Sequence, residues 1–109
     1  MHIKVYHKTK IYGLATENGD LFYIGKSCVP EYRLVTHLRS AKNRKSLTQK
    51  KIYELKGKVN LVIIEEVKFK GYPHLPNSRE LYWIRHYSNI YELTNIQGNP
   101  KKYKNQQPC

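Results

Sequence analysis

The sequence predicts an α+β fold, a small three-stranded antiparallel sheet flanked by helices. Three observations carry that prediction. Two short runs rich in Ile, Tyr, Phe and Leu bracket the turn signal Glu17-Asn18-Gly19-Asp20, one longer β-branched run stands alone past the middle of the chain, and other stretches repeat apolar residues at helical spacing. With 109 residues and no break in composition, the chain has room for one domain over 1–109 and not for a second recognition domain.

Residues 10–16 and 21–26 read as paired strands, because Asn-Gly between them favours the positive backbone angles of a hairpin turn. Pro30 suits the first turn of a helix, where a missing N–H is harmless. Leu34, Val35, Leu38 and Ala41 then form one stripe of a helix over 30–43. Beyond a basic link at 42–46, a short helix over 47–56 is closed by Gly57. Val59, Leu61, Ile63, Glu65, Val67 and Phe69 alternate, which predicts the central and longest strand over 59–69. The breaker-rich stretch 70–77 reads as a loop and 78–87 as a third helix. From 98 onward no apolar pattern remains, and 100–109 is a basic tail able to follow a phosphate backbone.

Hydrophobic residues at 39% and charged residues at 26% exclude a disordered chain. The charge balance is far from ordinary: 20 Lys and Arg against 8 Asp and Glu give +12. So dense a positive field on a small body points to a polyphosphate partner. A basic membrane-surface helix is disfavoured, because the cations are spread over all segments, and no apolar run reaches spanning length. The start lacks a signal peptide's apolar stretch, and two cysteines, Cys28 and Cys109, make no disulfide framework or metal knuckle. A reducing, cytoplasmic setting is expected.

Tyr12 and Tyr23 stand eleven positions apart on the two hairpin strands, so both phenols can reach one face. Arg33 follows Lys26 by seven positions at the start of the next helix, and His37 lies one helical turn beyond it. Phosphodiester cleavage needs such a set: a base for water, a cation against charge growing on phosphorus, and a metal ligand.

Lys10-Ile11-Tyr12, Tyr23-Ile24-Gly25-Lys26 and Arg33 resemble the core of the GIY-YIG nucleases, as found in the excision-repair endonuclease UvrC and in phage homing endonucleases. Glu80-Leu81-Tyr82-Trp83-Ile84 resembles that family's helix bearing a metal-binding glutamate, and Asn95 in Leu93-Thr94-Asn95-Ile96 its closing asparagine. The resemblance runs over about 10–99, with four motifs in order. One departure is Lys10, where the family name has glycine; that glycine carries no catalytic group.

The resemblance implies a metal-dependent DNA endonuclease that leaves 5′-phosphate and 3′-hydroxyl ends. Tyr23 or Tyr12 activates the attacking water, with Lys26 near enough to lower a phenol's pKa. Arg33 holds the scissile phosphate, His37 contacts phosphate or assists proton transfer, and Asn95 orients groups around the metal. Glu80 holds one divalent cation, Mg²⁺ with Mn²⁺ as a substitute. RNA also fits motifs that handle phosphate alone. The protein acts as a monomer or a DNA-induced dimer, and its build is similar to phage or mobile-element nucleases.

Blander readings stand beside these. The phenols can be ordinary strand residues in a chain with ten tyrosines. Asn77-Ser78-Arg79-Glu80 has the form of a capping box, which would engage Glu80 in helix initiation. Arg33 and His37 can be a solvated basic stripe. Tyr82, Trp83, Ile84 and Tyr87 read as core packing with phenol tips in water, and His2, His7, His74 and His86 show no zinc spacing. Cys28 has no histidine-based arrangement that would make it a nucleophile. The alternative function from another class is a catalytically silent, basic nucleic-acid-binding module with the same fold.

Overall fold

A computed structural model describes residues 7–70 and 74–95. Strands β1 (His7–Ala15) and β2 (Leu21–Ser27) lead to helix α1 (Pro30–Ser40), a 3-10 turn at Ala41–Asn43 and helix α2 (Leu47–Glu54). Strand β3 (Asn60–Phe69) and helix α3 (His74–Ser88) complete the order. The result is an antiparallel three-stranded sheet, β2-β1-β3, flanked by helices. The tail expected over 98–109 lies outside the described residues.

The hairpin closes as its turn chemistry demands. Gly19 adopts φ +88°, a conformation open to glycine without penalty, and Thr16 and Asp20 exchange backbone hydrogen bonds with their turn neighbours. Pro30 opens α1 and is buried. The helix expected over 30–43 is α-helical only to Ser40, then tightens and ends where Arg44 turns left-handed at φ 48°. Ser46 and Gln49 form a reciprocal capping box that starts α2. Lys56 and Gly57, both at positive φ, close its far end.

Two expectations are corrected. At ten residues β3 is longer than β1 and β2, yet it is an edge strand and β1 is central. Its alternating apolar residues predicted a central place, but the hairpin occupies one edge of β1 and leaves β3 the other. Val62 and Ile63 are accordingly exposed. The third helix begins at His74 and takes in part of the expected loop. Pro76 permits this because it falls in the first turn, where its N–H has no intrahelical partner to lose.

Helices cover both faces. Ile11, Ala15, Ile24 and Val67 pack against Ile84 of α3, with Ile64 and Trp83 at the margin. Tyr12, Leu14 and Phe22 pack on the opposite face with Ala41 and with Ile52 of α2. Two bulges adjust these faces: the register skips Phe22 beside Leu14 and Ala15, and Ile64 beside Ile11 and Tyr12. A bulge adds an unpaired residue and twists the strand. Phe22 and Tyr23, though consecutive, therefore both join the cluster on the α2 face.

Candidate active site

The hairpin register sets the first two side chains. Tyr12 is opposite Gly25 and Leu14 is opposite Tyr23, so Tyr12 and Tyr23 lie diagonally on one face with Gly25 between them. The rings sit 6.1 Å apart between centroids. A Cβ at residue 25 would come within 2.8 Å of the Tyr12 hydroxyl and of a Tyr23 ring carbon. Only glycine leaves room for both rings here.

Helix α1 adds the next pair from its solvent-facing start. Arg33 is exposed and His37, one turn on, is half-buried. The Tyr12 hydroxyl and His37 Nε2 share a hydrogen bond of 2.9 Å, and the His37 ring meets Tyr23 edge-on at 4.9 Å. Burial, and then the Arg33 charge, push His37 down to about 4, so the ring is neutral near pH 7. Burial raises both phenols, while the neighbouring Arg33 guanidinium pulls each of them down. The Tyr23 hydroxyl donates toward Tyr12, which lowers Tyr12 and raises Tyr23. The two titrate as a coupled pair. Tyr12 is fully buried and Tyr23 half-buried.

Helix α3 supplies the acid. Pro76, Glu80 and Ile84 are its buried stripe, so a carboxylate occupies a position that the helical period assigns to the core. The capping box read from Asn77 and Glu80 does not form: the helix already runs from His74, and Asn77 Oδ1 has no partner. Glu80 is 1% exposed. Burial pushes its pKa up to about 7 against the opposing charge of Lys26, with no hydrogen bond to the carboxylate contributing. Its charge raises Tyr12 and Tyr23 in turn. Glu80 thus shares one electrostatic neighbourhood with the phenols, Arg33 and Lys26.

Two expected site residues sit differently. Lys26 is half-buried and its charge acts on Glu80, while Arg33 is the cation that lowers both phenols. Asn95 donates to the Ile24 carbonyl at 2.6 Å and accepts from the Ile24 N–H at 3.4 Å. Both ends of its amide are engaged on the outer edge of β2. Beside it, the Thr94 N–H and hydroxyl both bond the Phe22 carbonyl, and Thr48 of α2 bonds Thr94. Sequence reasoning missed this threonine pair, since neither residue belongs to a motif. Lys10, which stands where the family name has glycine, pairs with Ser27 and Glu66 in strand backbone that needs no positive φ. Cys28 is disulfide-bonded, a cross-link that the expectation of a reducing setting did not anticipate.

A three-stranded antiparallel sheet flanked by helices, with two tyrosines and a histidine in contact, an arginine beside them and a buried glutamate within electrostatic reach, defines a nuclease-type fold. The GIY-YIG catalytic domain family matches residues 8–95, well over half of the chain, and the chain belongs to that family. No curated protein and no solved structure matches it.

Proposed function

We propose that the protein is a divalent-metal-dependent DNA endonuclease acting through Tyr12, Tyr23, Arg33, His37 and Glu80. The observation that carries this reading is Glu80, a buried carboxylate held on the core stripe of α3 without a hydrogen bond to satisfy it. A buried ionisable group in that condition destabilises the fold, so it is kept for a ligand. Among the described residues no cluster of three His, Cys, Asp or Glu gathers. One carboxylate completed by water suits Mg²⁺, with Mn²⁺ in its place. When bound, the cation supplies positive charge beside the leaving 3′ oxygen.

The chain's own residues divide the remaining work. Arg33, exposed at the start of α1, holds the scissile phosphate and offsets its growing negative charge. Tyr23, the less buried phenol, takes the proton from the attacking water as its own proton moves to Tyr12. Tyr12 passes its proton to His37 Nε2 along the 2.9 Å hydrogen bond. Neutral His37 can accept it, and the phosphate's negative charge raises its basicity in the complex. Lys26 balances Glu80 before the cation arrives, and Asn95 steadies β2 under Tyr23. The products carry 5′-phosphate and 3′-hydroxyl ends. A single site nicks one strand, so cutting both requires a DNA-induced dimer or two events.

The alternative of a catalytically silent binding module drew on a capping role for Glu80, and that role is not made. Purified protein should nick supercoiled plasmid with Mg²⁺ present. Arg33→Ala and Glu80→Ala should each abolish nicking while circular dichroism is unchanged. Undiminished nicking by both variants refutes the site; the same plasmid replaced by structured RNA shows which polymer is cut.

A further inference from the structure

The outer face of α3 carries a second arrangement that catalysis does not use. Tyr82 and His86 have rings parallel within 3° and centroids 6.2 Å apart. On the other side, the Arg79 guanidinium lies over the Tyr82 ring at 4.5 Å. Residues three and four apart rise about 4.5 and 6 Å along a helix. Those spacings set the Tyr82 ring across the helix axis, with Arg79 over one face and His86 facing the other. Trp83 stands perpendicular to both, at 85° and 88°, and Tyr87 stacks on it at 5.6 Å. Tyr82 is 49% exposed and His86 is exposed, while Trp83 is half-buried. Two aromatic walls and an aromatic floor therefore form a slot open to solvent, where the sequence pattern had implied packing alone.

The slot is built, not incidental. One oxygen of Glu65 on β3 accepts from Arg79 Nε at 2.8 Å and from Trp83 Nε1 at 3.0 Å, fixing both the floor and the outer stack. Ser78, Leu81, Tyr82, Arg85, His86 and Asn89 line a groove of about 470 Å³ along it, with no carboxylate among them.

We infer that this slot takes an unpaired nucleobase, and that its partner is single-stranded nucleic acid. The inference rests on the nucleic-acid reading above for the class of partner and deepens it. A base stacks on an exposed ring face at about 3.4 Å, and the exposed His86 side chain can rotate to admit one against Tyr82. A bare organic cation also fits an aromatic cage, but Arg79 and Arg85 flank this one and repel it. The same two arginines attract the phosphates on either side of a held base. Bases within an intact duplex are stacked and cannot enter. Glu80 lies on the opposite side of the same helix, so the held base sits about 10–12 Å, one helix width, from Glu80. The preferred substrate has unpaired bases close to the scissile bond.

Trp83 is the single tryptophan of the chain, so its fluorescence reports directly on the slot. The full chain is titrated with short oligothymidylate, and separately with duplex of equal length, in a chelator that prevents turnover. Oligothymidylate should quench Trp83 and duplex should not. Tyr82→Ala and His86→Ala should each weaken single-strand affinity about tenfold or more, with circular dichroism unchanged, and Tyr82→Phe should restore it. Equal quenching by duplex, or unchanged single-strand affinity in Tyr82→Ala, overturns the inference. Quenching without plasmid nicking supports the slot and overturns the nuclease reading. Nicking without quenching does the reverse.

Discussion

Glu65 on β3 and Glu80 on α3 are in opposite chemical states. Glu65 is part-exposed and holds Arg79 and Trp83 through one oxygen; those hydrogen bonds, Arg79 first, keep its carboxyl below the usual range. Glu80 is buried and pushed up to about 7, with only the Lys26 charge against its desolvation. One acid is satisfied by the protein and stabilises it. The other is left unsatisfied, which stabilises nothing until a cation or substrate arrives. Satisfaction, more than burial or position, separates the structural glutamate from the one proposed to hold the cation.

The largest effect should come from exchanging the two. Glu80→Ala is expected to lower Mg²⁺-dependent nicking by roughly 10³-fold or more, whereas Glu65→Ala, which loosens the Arg79 and Trp83 contacts, should keep Mg²⁺-dependent nicking within about tenfold of wild type and lower stability by about 1–3 kcal/mol in urea. Comparable nicking losses in both would break the distinction. Next comes the frame under the phenols. Gly25→Ala drives a Cβ against both tyrosine rings and should lower the single-turnover rate by about 10²-fold, because misplacement by about 1 Å is enough, without touching either glutamate.

Metal-free stability sharpens the contrast through pH. Glu80 titrates near 4.5 unfolded and at about 7 folded, so the unfolded chain ionises first as pH rises. Stability from the neutral acid is intact below about pH 4.5 and is lost on the way up to about pH 7. Glu80→Gln should therefore stabilise the metal-free protein at pH 8, by on the order of 3 kcal/mol, and hardly at all at pH 4. Thermal unfolding at both pH values reads the difference, and the same substitution at Glu65 should show no such gain. The smallest effect belongs to Asn95→Ala. Losing the Ile24 pairing on the edge of β2 should lower stability by about 1 kcal/mol and slow nicking a few-fold.

The hairpin, the helix after Pro30 and the sharing of a face by Tyr12 and Tyr23 could be read from turn chemistry and strand period. So could the proximity of Arg33 and His37, which are one turn apart. Long-range pairing could not. The edge position of β3 depends on which side of β1 the hairpin leaves open, and the chain's local pattern carries no record of that choice. Lys26 was placed beside the phenols because it is close to Tyr23 in sequence, yet strand alternation and the path of α3 turn it toward Glu80. Asn77 mimicked a helix cap because Pro76 normally ends regular structure; in a first turn it does not. Glu65 was visible as an acid at an inward strand position, but its partners came from a helix fourteen and eighteen residues away. Tyr82 looked like core because aromatic spacing alone does not say which side of a helix meets the sheet.

The most direct measurement compares plasmid nicking by wild type, Glu80→Gln and Glu65→Gln across a Mg²⁺ titration at one pH. Activity that saturates with Mg²⁺ in wild type and Glu65→Gln but is absent from Glu80→Gln is the predicted result. Equal Mg²⁺-dependent activity in all three would contradict it.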